Sequence, residues 1–158
     1  MSELNPFQRA WVEVSPAAVE CNVRSLLRHL KPGTQLMAVV KADGYGHGAV
    51  TVARAALQGG ASSLGVATLQ EGMELREAGI SAPILLLSAL HSRDGLVHCH
   101  QQRLMPTLSS LDEASICSQI GAEQGGPPFP VQLKVDTGMS RLGADWCTGA
   151  ALVEQIRS

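Results

Sequence analysis

The chain has 158 residues, of which 45% are hydrophobic, 16% charged and 3% aromatic, and its 12 basic and 14 acidic side chains leave a formal net charge of −2. That length suits one domain with a substantial apolar core. The near-neutral balance and the scarcity of aromatics remove the electrostatic and stacking grounds for a nucleic-acid or anionic-membrane partner. No run approaches the ~18–20 apolar residues of a membrane span. Met1 to Arg9 lack the apolar core of a signal peptide, so a cytoplasmic location is expected. Cys21, Cys99, Cys117 and Cys147 form no CxxC pair. They give no disulfide framework or zinc site, and most are expected to be small buried hydrophobes.

Trp11 to Val14 alternates apolar and polar residues, the pattern of a short strand. Ser15-Pro16 then supplies an N-cap and an N1 proline for a helix with Val19, Val23, Leu26, Leu27 and Leu30 on one face. Lys31-Pro32-Gly33 ends that helix, and Leu36 to Val40 reads as a strand buried on both faces. After Lys41 to Gly48, a helix is expected over about 49–57, closed by Gly59-Gly60. A strand from Leu64 to Ala67 follows. Thr68 and Glu71 make a capping box for a helix to Ala78, stopped at Gly79. Ile84 to Leu87 is the next strand, then a short helix over about 95–100, a brief strand at Leu104-Met105, and a second capping box, Ser110 and Glu113. The helix from that box runs to about Ile120. A loop at 125–130 leads to a strand from Val131 to Val135, and a last helix starts at about Thr148.

Strands alternating with helices are the mark of parallel βα units. The expected architecture is α/β, a (β/α)8 TIM-type barrel of which this chain holds about the first five units, since eight need ~250 residues.

Two clusters can carry chemistry. Lys41 stands at the C-terminal end of a buried strand, the catalytic face of a barrel. Desolvation there favours the neutral amine, the nucleophile for a Schiff base with an aldehyde. Closely spaced glycines (44, 46 and 48) let backbone approach a ligand, and Tyr45 is the only tyrosine. The plainer reading is a strand-end lysine followed by a glycine-rich turn; Walker A is excluded because no GxxxxGK[ST] is present. In the second cluster, Lys134 and Asp136 share a strand face, and Arg141 follows with a fork suited to a carboxylate or phenolate. Its plainer reading is a salt bridge from Asp136 to a basic neighbour. His91, His98 and His100 are expected to be loop or surface residues, with no metal site. Cys99 has no oriented base, and Asp43 and His47 are expected to serve as turn and cap groups.

The pair of motifs VVKADGYGHG and LKVDTGMSRLG closely resembles the two diagnostic motifs of alanine racemases. AWVEVSPAAVECNVRSL, LGVATLQEGMELREAGI and PILLLS add weaker matches in the same order, so the resemblance runs from about Arg9 to Gly143. It implies that Lys41 binds pyridoxal 5'-phosphate as a Schiff base and acts as the base on the D-alanine face. It implies that Tyr45 contacts the cofactor phosphate, and that Arg141 binds near the cofactor's phenolic oxygen and the substrate carboxylate. Lys134 matches a lysine carbamylated in many members. The substrate implied is alanine, for D-alanine supply to cell-wall peptidoglycan. The second base implied is a tyrosine from a C-terminal domain of the partner subunit in a head-to-tail homodimer. On that resemblance residues 1–14 are a strand segment of a β domain otherwise absent. Residues 15–158 are an incomplete cofactor-binding barrel, expected not to racemise alanine efficiently alone. The alternatives are a related racemase or decarboxylase of the same fold, a non-catalytic barrel that binds pyridoxal phosphate for cofactor supply, and an inert fragment.

Overall fold

The computed structural model describes residues 11–125, 128–147, 149 and 152–154. Helix α1 (Pro16–His29) begins where the Ser15 hydroxyl accepts the Ala18 N–H at 3.2 Å, with Pro16 at the first helical position. There follow β1 (Met37–Val39), the helical turn α2 (Lys41–Gly46), α3 (Ala49–Gln58), β2 (Ser63–Val66), α4 (Leu69–Glu77), β3 (Ile84–Ala89) and α5 (Arg93–Gln101). Next come β4 (Met105–Leu108), α6 (Leu111–Gln124), β5 (Gln132–Leu133), β6 (Val135–Asp136) and β7 (Ala144–Asp145).

Strands β1 to β5 form one all-parallel sheet in the order β1-β2-β3-β4-β5. Because the order never reverses, successive right-handed crossovers bring their helices to one face of the sheet. This is an arc of a βα barrel and lacks the strand-order switch of a doubly wound sheet. Alternation along the strands divides the residues between the two faces. Leu64, Val66, Ile84 and Leu86 are fully buried in one core with Ala53, Leu75 and Cys99 of the surrounding helices. Each such aliphatic side chain contributes roughly 1.5–3 kcal/mol by leaving water. On the opposite, inner face, Met37, Val39 and Leu87 gather around Gly65 and stay partly exposed. Val23 of α1 packs with Ala56 of α3 and with Ala61, just past that helix. The approach is close enough that a Cβ on Gly59 would stand 2.8 Å from both the Glu20 carbonyl and the Val23 Cβ.

Several sequence expectations need correction. The strand expected from Leu36 to Val40, buried on both faces, is Met37–Val39 and leaves Met37 and Val39 exposed. At the second expected capping box the Glu113 carboxylate accepts the Ser109 N–H, one residue before Ser110. Trp11 to Val14 forms no ladder among the described residues, and the Trp11 indole N–H bonds the Glu13 carboxylate at 3.1 Å. Residues 1–10 lie outside the described part. The strand expected at Leu104-Met105 starts at Met105 and continues through the buried Pro106 to Leu108. The single strand expected from Val131 to Val135 is two short ones that change partner at Lys134. Its N–H bonds Leu108 of β4, whereas its carbonyl accepts the Ala144 N–H of β7, an element not anticipated. Of the four cysteines, only Cys99 and Cys117 are buried. The start of the last expected helix, Thr148, lies outside the described residues, which include helical Gly149 and Leu152 to Glu154.

Candidate active site

Parallel strands deliver their C-terminal ends to one rim, and both sequence clusters lie on it. Val40, fully buried, closes β1 by donating its N–H to the Gly65 carbonyl at 2.8 Å. Lys41 follows, half-buried. The next four residues, Ala42 to Tyr45, are all left-handed, with φ between 52° and 62° and ψ between 36° and 51°. For an L-residue that conformation costs roughly 1–2 kcal/mol, so only Gly44 adopts it freely. Gly44 is also fixed by space, since a Cβ there would lie 3.2 Å from Val52 Cγ2.

The surroundings hold this turn at several points. Gly44 N–H bonds the Val40 carbonyl and Gly48 N–H the Asp43 carbonyl, each at 2.9 Å. The Asp43 carboxylate accepts the Ala49 N–H at 2.7 Å, tying the turn to the start of α3, and His47 Nδ1 donates to the Gly44 carbonyl at 3.0 Å. Asp43 and His47 thus act as turn and cap groups. The Glu71 carboxylate accepts the Ala42 N–H at 2.8 Å from the neighbouring unit. Backbone strain kept in place by this many contacts is characteristic of functional sites.

Glu71 has two duties. Its other oxygen accepts the Ala67 N–H at 2.6 Å and the Thr68 N–H at 3.1 Å, while Thr68 Oγ1 accepts the Glu71 N–H at 3.2 Å. The expected capping box is therefore present, and the same carboxylate reaches across to the residue after Lys41. Burial works against its charge, but the N–H donors of Ala42, Ala67 and Thr68, with the positive charge of Lys41, outweigh it and hold the carboxyl below its ordinary value. The capping half is legible from Thr68-x-x-Glu71. The crossing to Ala42 is not, because it depends on β1 and β2 pairing in register.

Lys134 and Asp136 are half-buried and Arg141 is exposed. No ion pair among the described residues joins them. The Asp136 carboxylate instead accepts the N–H groups of Gly138 and Ser140, at 2.9 and 3.0 Å. Those bonds, foremost Gly138, lower its pKa. The salt bridge considered for Asp136 is replaced by this backbone loop, which carries the chain round to Arg141. Lys41 and Lys134 share the rim but follow the opposite edge strands β1 and β5, four inter-strand spacings or about 19 Å apart along the sheet. Tyr45, four residues past Lys41, is exposed.

A buried carboxylate, Glu113, also occupies the rim. Glu113 accepts the Ser109 N–H at 2.6 Å and bonds His91 Nδ1 at 2.9 Å. No group of three or more metal-ligating side chains occurs among the described residues. Burial pushes the Cys99 thiol up to about 12, which keeps it a protonated core residue.

A parallel βα arc, with Lys41 at the C-terminal end of its first strand opening a strained glycine-rich turn, defines part of a βα-barrel domain. Comparison with known proteins makes this specific. The family model for the N-terminal domain of alanine racemase matches residues 14–158, and the chain belongs to that family. It is 53% identical over 156 residues to the alanine racemase of Prochlorococcus marinus, covering 99% of this chain and 40% of that protein. The crystal structure of alanine racemase from E. faecalis superimposes with a TM-score of 0.72 at 41% identity, over 83% of this chain and 35% of that one. A histidine racemase from Leuconostoc mesenteroides gives a TM-score of 0.81 at 27% identity, over 96% and 40% respectively. The chain thus spans about two fifths of the length of the curated relatives it matches. No helix among the described residues is long and apolar enough to cross a membrane.

Proposed function

We propose that this chain is the cofactor-lysine part of a pyridoxal 5'-phosphate-dependent alanine racemase, with Lys41 as the attachment point and as one of the two bases. The observation that carries the reading is the half-buried Lys41 at the end of β1, followed by a left-handed turn that its neighbours hold in place. These residues fit the cofactor. Lys41 provides a primary amine on a rigid element, Tyr45 an exposed hydroxyl four residues past it, and Gly46 open space, with nothing within 4 Å of an added Cβ. When bound, pyridoxal phosphate supplies an aldehyde that takes up an amine and a ring that spreads the charge left at a deprotonated Cα.

Lys41 would hold the aldehyde of the cofactor, and its Nζ, when free, would remove or return the Cα proton on the D-alanine face. Tyr45 would hold the phosphate through its hydroxyl. Arg141 orients the substrate carboxylate with its guanidinium fork. A carbamate on Lys134 gives Arg141 an anionic partner; an intact-mass increment of one carboxyl group on Lys134 tests this. The other face of Cα needs a second base, contributed by the partner subunit of a cytoplasmic homodimer that supplies D-alanine to the cell wall.

Similarity to the histidine racemase raises a second reading, a different amino acid as substrate. The greater identity to alanine racemases favours alanine. The chain has only three lysines, Lys31, Lys41 and Lys134, which makes the test direct. Incubation with pyridoxal phosphate, borohydride reduction and peptide mapping should label Lys41 far above Lys31, and Lys41→Ala should abolish that preference. Equal labelling of the three lysines refutes the cofactor reading. Solvent deuterium uptake at Cα, faster for alanine than for histidine, separates the two substrates.

A further inference from the structure

Glu71 lies outside both motifs, yet its side chain joins the β2–α4 turn to the residue after Lys41. We infer that Glu71 is a positioning residue for Lys41, fixing the path of the backbone at Ala42 and so the direction in which the lysine amine leaves β1. This rests on the cofactor reading above and deepens it.

Oε1 of Glu71 accepts the Ala42 N–H at 2.8 Å, whereas Oε2 is occupied by Ala67 and Thr68. Each oxygen therefore faces only N–H donors, and each serves a different unit of the sheet. Ala42 is the first left-handed residue after Lys41, with φ 52° and ψ 51°. Its amide must turn away from the ladder for the chain to take that path. Without that acceptor the exposed N–H would be left to mobile water at the point where the conformation is least favourable for an L-residue. The grip is anchored by the capping box on one side and by β1–β2 pairing on the other, so it has little freedom to slip. A charged acceptor makes the stronger kind of hydrogen bond.

The inference separates from helix capping by experiment. Thr68→Ala removes the other half of the capping box and weakens α4, but leaves the acceptor of the Ala42 N–H in place. Glu71→Ala removes both functions. The readout is the ratio of pyridoxal-phosphate labelling at Lys41 to that at the exposed Lys31 after borohydride reduction, with hydrogen exchange at the Ala42 amide measured in parallel. The expected result is a ratio about tenfold lower in Glu71→Ala, the size of one lost charge-assisted hydrogen bond, with a near wild-type ratio in Thr68→Ala. Should Glu71→Ala fail to fold, Glu71→Gln keeps the volume and one acceptor oxygen while presenting an amide NH2 to N–H donors on the other side. Its ratio should fall between. Equal losses in Glu71→Ala and Thr68→Ala, or no loss in either Glu71 variant, overturn the positioning role while the wild-type preference for Lys41 stands. A wild-type ratio near one overturns the cofactor reading, and this inference with it.

Discussion

At the C-terminal ends of the strands, carboxylates accept the backbone N–H groups of the turns; at the N-terminal ends, guanidiniums donate to backbone carbonyls. On the upper rim Glu71 takes Ala42, Ala67 and Thr68, Asp43 takes Ala49, Glu113 takes Ser109, and Asp136 takes Gly138 and Ser140. On the lower rim Arg76 alone reaches four carbonyls, those of Ile80, Ala82, Gln102 and Arg103, and Arg54 reaches Ala78. The division follows from helix polarity. Each helix returning from a parallel strand begins at the upper rim with unpaired N–H groups and ends at the lower rim with unpaired carbonyls. The lower rim is thereby tied by groups that stay charged at any ordinary pH. The upper rim, where the strained lysine turn sits, is tied by groups that titrate.

The largest effect expected from this comparison is at Arg76. Arg76→Ala should cost about 2–4 kcal/mol, because four carbonyls at the junction of α4, β3 and β4 lose a charged donor at once. Urea unfolding measures it. Arg76→Lys should recover less than half, since one ammonium cannot reproduce the fork. An Arg76→Ala protein within 1 kcal/mol of wild type would mean that the lower rim is held by strand pairing alone.

Acid should open the rims in order. The Glu71 carboxyl titrates below its ordinary value of 4.5, so its stabilisation is fully present above that pH and is lost as the pH falls through the lower folded value. The amides of Ala42 and Ala67 should then exchange faster at a pH where the lower rim is still protected. Hydrogen exchange followed from neutral to acid pH reads this directly, and simultaneous loss of both rims would erase the distinction.

What sequence made legible divides along the same line. Elements with local signals stood out: Ser15-Pro16 and Thr68-x-x-Glu71 fix helix starts through contacts within four residues. So did Lys41, because a lysine ending an apolar run is rare in itself. Contacts between units were not legible. Nothing local tells that Glu71 reaches Ala42, 29 residues away, or that Arg76 meets Gln102 and Arg103. The break at Lys134 was hidden for the same reason, since Val131 to Val135 has one continuous strand pattern and the change of partner depends on where Leu108 and Ala144 lie. Trp11 to Val14 has the alternation of a strand, but no ladder partner for it lies among the described residues.

The smallest effects fall on the helix caps at Thr68 and Ser110, and they sharpen the comparison within the upper rim. Thr68 and Ser110 accept the N–H of Glu71 and Glu113 at 3.2 and 3.3 Å, and each following carboxylate closes the turn behind it. Thr68→Ala and Ser110→Ala should each cost about 1 kcal/mol in denaturant melts. The two units differ in what the carboxylate does next. Glu71 grips backbone beside Lys41, whereas Glu113 pairs with His91, whose side chain is 77% exposed. His91→Ala should therefore cost under about 1 kcal/mol and leave Lys41 labelling as it was. If His91→Ala also lowered that labelling, the two caps would be coupled through the sheet, and the rim would respond as one unit rather than turn by turn.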